Sequence, residues 1–196
     1  DWNISRQIVW GIRIPAWYLR LPQRIEITYF VHGTTTDNER GIATGRNQGE
    51  LSELGKRQNV ELKELLDRSG ETFDLVISSD LKRAFETAKT VFPNTSIIPD
   101  ERLRECNYGT LNGARASKFR PTTYYIENRH PGGESYLDAE KRVRGLLVWL
   151  AQKHAGKKIA FVSHRGPQLA LDVLLNGKTW REAIAEDWRE RKQWQP

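Results

Sequence analysis

Two strand-like segments far apart in the chain each end in a histidine. Residues 25–31 read Ile-Glu-Ile-Thr-Tyr-Phe-Val and end at His32, while residues 158–163 read Lys-Ile-Ala-Phe-Val-Ser and end at His164. Short runs of β-branched and aromatic residues are typical of buried strands. The carboxyl ends of parallel strands meet at one edge of a sheet, so we expect the two imidazoles to share a single pocket.

The remainder of the chain alternates helix-like and strand-like patterns. Besides the two runs above, strands are predicted at 73–78 and 96–98. Helices are predicted at 52–70, 135–154 and 167–175, and a further helix follows the 73–78 strand and ends at Pro93. Strands that alternate with helices favour the α/β class. We therefore predict a three-layer α/β/α sandwich with a mostly parallel sheet.

The chain divides into three parts. Residues 1–24 form a leader rich in tryptophan and arginine, and residues 25–178 carry the alternating pattern of one α/β domain. Residues 179–196 are predicted to be an amphipathic helix, because Trp180, Ile184 and Trp188 recur every four residues. We expect this last helix to cap the core of the domain.

Composition narrows the class of protein. The 196 residues are 38% hydrophobic and 29% charged, as in an ordinary soluble globular protein. No apolar run approaches the roughly 20 residues that span a membrane, so no membrane partner is predicted. The lone cysteine, Cys106, excludes an internal disulfide framework and fits a reducing, cytoplasmic location. There is no methionine, not even at the start, so we expect the sequence to be part of a longer chain.

The net charge of +6 favours an anionic ligand. Positive residues are interspersed with acidic ones, which is typical of solvated helix faces, so charge alone does not predict a nucleic-acid surface. At the first strand end, the backbone of Gly33 and the side chains of Thr34 and Asn38 offer donors for an anion.

Four side chains near predicted strand ends suit phosphoryl transfer. The neutral imidazole of His32 can attack phosphorus, and that of His164 can stabilise the charge that spreads over the phosphoryl oxygens. Arg83 follows the second strand and suits bidentate phosphate binding, while Glu105 can protonate a leaving alkoxide. Each residue alone also has an ordinary interpretation: a structural histidine, a surface arginine, or a glutamate paired with a neighbouring arginine.

The full set resembles the histidine phosphatase superfamily, also called phosphoglycerate mutase-like, over about residues 25–175. The motifs that carry the resemblance are, in chain order, 32–35 with Asn38, 45 with 51–55, 78–88, 103–113, 131–135 and 162–164. The resemblance implies a histidine phosphatase-like fold and a metal-independent reaction through phosphohistidine, with no cofactor. It implies His32 as nucleophile, Arg83 and His164 as phosphate-pocket residues, and Glu105 as proton donor.

The resemblance also yields a set of binding residues and three departures. The predicted phosphate- or substrate-binding residues are Gly33, Thr34, Asn38, Thr44, Gly45, Arg46 and Arg165. Val31 stands where the family has an arginine, Arg165 where it usually has glycine, and Arg46 where tryptophan is common. Loss of the arginine removes charge-assisted hydrogen bonds to phosphate, and we hypothesise that Arg165 or Arg46 replaces it.

The short segment between Gly113 and Pro131 resembles the phosphatases of the superfamily more than its mutases, which have larger inserts. We therefore predict hydrolysis of a small phosphorylated substrate. Residues 122–125 and the pair Arg129-His130 are expected to line the entrance to the site.

Residues 1–18 resemble a catalytic-domain stretch of valyl-type class I aminoacyl-tRNA synthetases. This resemblance implies a phosphatase-like module within a synthetase-derived chain, with tRNA as a partner through the parent chain. The alternative function is then a catalytically degenerate module that binds an anion or serves as a scaffold. A leader that only packs on the domain surface is the other interpretation of this segment.

Overall fold

The computed structural model describes residues 16–19 and 25–187. Its strands and helices are, in chain order, β1 Ala16–Leu19, β2 Ile25–Val31, α1 Thr36–Glu39, β3 Ile42–Ala43, α2 Glu53–Ser69, β4 Leu75–Ser78, α3 Lys82–Val91, β5 Ile97–Pro99, β6 Ala114–Arg115, α4 Tyr136–Lys153, β7 Lys158–Ser163, α5 Arg165–Asn176 and α6 Trp180–Ala185. Short 3₁₀ turns lie between β5 and α4.

The central sheet has the strand order β1-β2-β7-β4-β5. Strands β2, β7, β4 and β5 are parallel, and β1 pairs with β2 in the antiparallel sense. The register of β2 on β7 sets Val31 opposite Ser163. His32 and His164, the next residues along the two strands, therefore leave the sheet side by side.

Helices cover both faces of this sheet. On one face, Phe161 and its neighbours pack against Val143, Leu146 and Leu150 of α4 and against residues of α5 and α6. On the other face, Val162 and its neighbours pack against residues of α2 and α3. Adjacent residues of β7 point to opposite faces, as a strand with two covered faces requires. The predicted three-layer α/β/α sandwich with a mostly parallel sheet is confirmed.

Local signals define several helix ends. Ser52 caps α2, whose last turn closes at Gly70 with a positive φ of 66°, and Ser135 forms a capping box with Asp138 at the start of α4. One detail of α2 differs from the sequence pattern: Val60, predicted on its apolar face, is 48% exposed. The buried stripe of α2 contains Asn59, and the next residue lies about 100° further around the helix axis.

The predicted leader contributes one strand to the sheet. Strand β1 lies within the predicted leader and joins the same sheet as β2. The synthetase-like stretch otherwise falls outside the described residues, so that resemblance stays a prediction.

At the other end of the chain, Trp180 and Ile184 of α6 are buried against the core. The prediction for Trp188 and the rest of 188–196 falls outside the described residues. Within the described part of the chain, no helix combines the length and the apolarity that a bilayer crossing needs.

Candidate active site

The histidine that ends β2 is held in one tautomer. Nδ1 of His32 lies 2.7 Å from the carbonyl oxygen of Gly33, and its Nε2 lies 3.2 Å from Nε of Arg83. A carbonyl oxygen only accepts and a guanidinium only donates, so Nδ1 carries the proton and Nε2 presents its lone pair. A neutral imidazole with an unprotonated Nε2 is the form that can act as a nucleophile once the contact with Arg83 is given up.

Arg83 lies in the first turn of α3, is 2% exposed, and connects the loop after β3 to His32 through hydrogen bonds. Its Nη1 donates to the carbonyls of Asn47 at 2.8 Å and Gln48 at 3.3 Å, and its Nη2 donates to the carbonyl of Gly45 at 2.9 Å. Burial lowers the pKa of this guanidinium, and the nearby Glu105 carboxylate counters that effect. These anchors fix the direction in which Nε points, toward Nε2 of the nucleophilic ring.

His164 is fully buried beside His32, with the two ring centroids 5.0 Å apart. Tyr29 bridges its backbone, since the phenol donates to the His164 carbonyl at 2.5 Å and accepts from the His164 amide at 3.0 Å. Nε2 lies 2.9 Å from Oγ of Ser79. Nδ1 is buried and has no hydrogen-bond partner within the described part of the chain, so this nitrogen is available to a ligand.

Burial lowers the pKa of His164 well below its ordinary value of 6.5, and the positive charge of Arg83 lowers it further. The ring is therefore neutral in the folded protein at neutral pH. In the unfolded chain the same imidazole takes up a proton as the pH falls through about 6.5.

This difference predicts how stability depends on pH. In this range the unfolded state binds up to about one proton more than the folded state. The free energy of unfolding therefore falls as the pH drops below about 6.5, by at most about 1.4 kcal/mol per pH unit. We expect a His164→Asn variant to show a shallower loss between pH 7.5 and pH 5 in urea unfolding. Equal slopes for the two proteins would contradict a neutral His164 in the native state.

Glu105 binds the start of α5, the helix that directly follows His164. It is 7% exposed, and its Oε1 accepts hydrogen bonds from the amide of Cys106 at 2.8 Å and from the amide of Gly166 at 2.9 Å. A Cβ at Gly166 would meet Oε1 at 2.6 Å, so only glycine allows α5 to approach the carboxyl this closely. Both bonds end on the same oxygen, which fixes the orientation of the group.

The predicted binding residues near His32 have different roles in the structure. The Gly33 amide donates to Thr87 at 3.1 Å, and a Cβ at this glycine would meet the Gly55 carbonyl at 2.6 Å. Thr34 binds the side chain of Gln58 through its amide and its hydroxyl, at 3.0 and 2.8 Å. Asn38 is exposed, and its side-chain oxygen accepts from Thr35 in the capping box of α1.

Thr44 and Gly45 belong to the loop that Arg83 holds. The hydroxyl of Thr44 donates to the Asp37 carboxylate at 2.8 Å, and Gly45 has a positive φ of 57° while its carbonyl accepts from Arg83. The structure thus gathers His32, Arg83, His164 and Glu105 with this loop at one edge of the sheet. It assigns Asn38 to helix capping.

The two arginines predicted to replace the missing one differ in their surroundings. Arg165 donates through Nε to the buried carboxylate of Asp187 at 2.6 Å and approaches the Thr122 hydroxyl at 3.5 Å. Arg46 donates through Nη2 to Glu134 at 2.9 Å, while its Nε is buried and has no partner among the described residues. Arg46 directly follows Gly45, whose carbonyl is held by Arg83, and its charge adds a small part to the lowering of the His164 pKa.

Several contacts that shape the site are not visible from the sequence pattern. Arg142, in the middle of α4, donates to the carbonyls of Arg102 at 2.6 Å and Glu105 at 3.2 Å, and it pairs with Glu134. Glu134 in turn accepts from the Asn107 amide at 2.9 Å. Glu134 and Ser79 lie within the motifs described above, but nothing in the sequence distinguishes Arg142 from the exposed charges of its helix.

A cavity of about 710 Å³ has Tyr108, Arg165 and part of the irregular segment before α4 in its walls. Thr122, Thr123, Tyr125 and His130 line it, whereas Tyr124 and Arg129, which belong to the same prediction, do not. Arg129 instead pairs with Asp138 at 2.8 Å. His130 stacks on Tyr125 with ring centroids 3.7 Å apart, which fixes this wall.

The fold and site together define an α/β protein whose parallel strands present two facing histidines, a buried arginine and a glutamate at one edge. Residues 29–183 match the histidine phosphatase superfamily (branch 1), and the chain belongs to that superfamily. The assignment of residues 25–175 to this family from sequence is confirmed. The comparisons contain no information on the synthetase-like segment.

Two curated relatives from Arabidopsis thaliana are each 34% identical to this chain. They are a phosphoglycerate mutase-like protein 4 and a metal-independent phosphoserine phosphatase, and each alignment covers 72% of this chain. The chain spans 66% and 64% of their respective lengths, just under two thirds. Among solved structures, a mycobacterial glucosyl-3-phosphoglycerate phosphatase in complex with VO3 is 29% identical to this chain, with a TM-score of 0.69. The alignment covers 80% of this chain and 84% of the phosphatase chain.

Proposed function

We propose that the protein hydrolyses small phosphate monoesters through a phosphohistidine intermediate on His32. The observation that carries this proposal is the tautomer of His32, whose unprotonated Nε2 accepts from Arg83 and whose ring lies 5.0 Å from that of His164. The two relatives named as phosphatases support hydrolysis as the reaction class. The name of the phosphoserine phosphatase also supports a reaction without metal.

The reaction has two steps in which atoms and charge balance. Nε2 of His32 attacks phosphorus, a P–N bond forms, and the bond from phosphorus to the ester oxygen breaks. Glu105 gives a proton to the departing oxygen, which leaves as an alcohol. Water then attacks the phosphohistidine, Glu105 takes a proton from that water, and inorganic phosphate leaves as the P–N bond breaks.

Two neighbouring groups stabilise the charge on the phosphoryl oxygens. Arg83 gives up its contact with Nε2 and donates to the phosphoryl group, while its three carbonyl anchors keep the guanidinium in place. Ser79 accepts from the Leu81 amide at 3.3 Å and is free to donate its own proton to Nε2 of His164. The neutral ring then carries its proton on the unpartnered Nδ1, which donates to the same oxygens.

Arg46 supplies the guanidinium that position 31 lacks. Its Nε is a spare donor one residue from Gly45, whose carbonyl binds Arg83, whereas Arg165 is paired with Asp187. Arg46→Gln is expected to lower kcat for phenyl phosphate by about 10- to 100-fold, the usual effect of losing one charged donor in the transition state. Arg165→Lys keeps a cation for Asp187 and is expected to stay within about threefold of the wild type.

Steady-state kinetics on the two variants, with urea unfolding as a check on folding, tests this assignment. Partial rescue of an Arg46→Ala variant by added guanidinium ion, at concentrations that leave the protein folded, would separate a direct contact from loss of the Glu134 pair. The opposite pattern, a large loss for Arg165→Lys and none for Arg46→Gln, would assign the compensation to Arg165.

The proposed activity is tested with an aryl phosphate ester in the presence of EDTA. Sustained release of phosphate by the wild-type protein supports a metal-independent phosphatase. Among the described residues, no three histidine, cysteine or carboxylate side chains cluster as metal ligands would.

A second candidate function rests on Val31. Without an arginine before His32, the pocket keeps donors for an anion but loses part of the charge that lowers the barrier. In that case the chain is a binding or scaffold module within a synthetase-derived protein, and tRNA phosphate is the anion. Calorimetric binding of phosphate together with no turnover of any ester would favour this candidate over the enzyme.

A further inference from the structure

The cavity of about 710 Å³ is bordered by two residues that lie close to Glu105 in the chain or in the fold, Tyr108 and Arg165. Tyr108 lines it, and the Glu105 carboxylate is close enough to raise the pKa of that phenol, in addition to the larger effect of burial. Arg165, also in its wall, directly precedes Gly166, whose amide binds Glu105. If Glu105 protonates the departing oxygen, the alcohol part of the substrate extends from Glu105 into this space.

The walls of the cavity are mostly aromatic. Tyr108, Phe119, Tyr125 and Tyr136 line it, and the rings of Tyr108 and Phe119 pack edge to face with centroids 5.1 Å apart. Fixed aromatic walls favour a flat apolar group, because such a group replaces water without loss of side-chain freedom. A volume of about 710 Å³ is far larger than a two- or three-carbon alcohol requires.

The polar part of the cavity is positively charged. Arg120, Arg165 and Arg181 all line it. Arg165 is balanced by Asp187, but Arg120 and Arg181 have no carboxylate partner among residues 25–187. Arg120 lies over the ring of Tyr124, 4.5 Å from its centroid, which leaves its donors free for a ligand. Two unneutralised guanidinium groups at the open side of an apolar cavity favour a ligand with an anionic outer end.

The geometry points to a specificity site for phosphate monoesters of bulky, mainly aromatic alcohols that carry a second anionic group at the end remote from the phosphate. This inference rests on the proposed function, because it takes the phosphoryl group to lie at His32. The aromatic wall holds the ring of the alcohol, and Arg120 and Arg181 bind the remote anion.

Two esters that differ only in the remote charge test the inference. In 4-carboxybenzyl phosphate and 4-carbamoylbenzyl phosphate, the methylene group separates the ring substituent from the ester oxygen, so the leaving alcohols are of similar reactivity. We expect the wild-type protein to prefer the carboxylate by roughly tenfold in kcat/KM, as two half-exposed ion pairs allow. The double variant Arg120→Gln/Arg181→Gln should reduce this ratio to about one, chiefly by lowering kcat/KM for the carboxylate ester.

A double variant with the same loss of charge elsewhere, Arg57→Gln/Arg68→Gln on α2, is the matched control and should keep the wild-type ratio. Affinities of the two esters for a His32→Ala protein, measured by calorimetry, give a readout that does not need turnover. The same preference in affinity, lost in Arg120→Gln/Arg181→Gln, supports the site. Equal affinity for the two esters overturns it, whereas preferential binding to a wild-type protein that hydrolyses neither ester overturns only the proposed function.

Discussion

Replacing His32 by alanine should lower kcat for an aryl phosphate by about 10⁴-fold or more, because removal of a covalent nucleophile eliminates the two-step route. The rest of the pocket should persist in this variant. Arg83 keeps its three hydrogen bonds to the carbonyls of Asn47, Gln48 and Gly45, so the loop after β3 does not depend on the imidazole. Steady-state release of phosphate measures the loss directly.

The matched control is His154→Ala, a histidine at the C-terminal end of α4 whose ring contacts Trp149 and lies away from the strand ends. We expect this variant to retain wild-type kcat. Both variants should bind inorganic phosphate and unfold at urea concentrations near that of the wild type. A His32→Ala protein that is folded and loses less than about tenfold in kcat would rule out His32 as the nucleophile.

Changing Glu105 to glutamine should produce the second large effect, and its size should depend on the leaving group. The amide oxygen of glutamine can still accept from the amides of Cys106 and Gly166, so the variant preserves the position of the side chain but removes its proton. A poor leaving group such as an alkoxide needs that proton, and we expect kcat for an alkyl phosphate to fall by about 10²- to 10³-fold.

For 4-nitrophenyl phosphate the departing oxygen is already stable as an anion. Formation of the phosphohistidine should therefore be slowed by less than about tenfold, which burst-phase kinetics can separate from the second step. Equal losses in the first step for the alkyl and the nitrophenyl ester would show that Glu105 has a structural role and does not transfer the proton. A Glu105→Ala variant loses the contacts as well and should be impaired with both esters.

Much of the fold follows from local patterns in the sequence. The strand at 158–163 and the capped helix from Ser52 to Gly70 have bounds close to those observed, because strand-forming runs and capping residues act within a few positions. The meeting of His32 and His164 also follows from sequence, since parallel strands in one sheet bring their carboxyl ends together. These are the features that set the position of the site.

Other features depend on contacts between distant segments. The Arg142 guanidinium reaches the Glu105 loop only because α4 crosses that loop at this turn, and helix periodicity does not reveal it. Asn38 has a local partner in Thr35, and the capping interaction competes with any role in the pocket. The hydrogen bond from Arg83 to Nε2 fixes the tautomer of His32. It could not be predicted from sequence, because it depends on how the loop after β3 folds around the guanidinium.

The central claim is that a phosphoryl group is transferred to Nε2 of His32. Mixing the protein with 4-nitrophenyl phosphate, quenching in alkali within milliseconds to seconds, and mapping the peptides by mass spectrometry measures this directly. The account predicts one phosphoryl group on His32, stable in base and lost in acid, in amounts that rise and decay with turnover. Turnover with no phosphate on His32, or with phosphate on another residue, would contradict it.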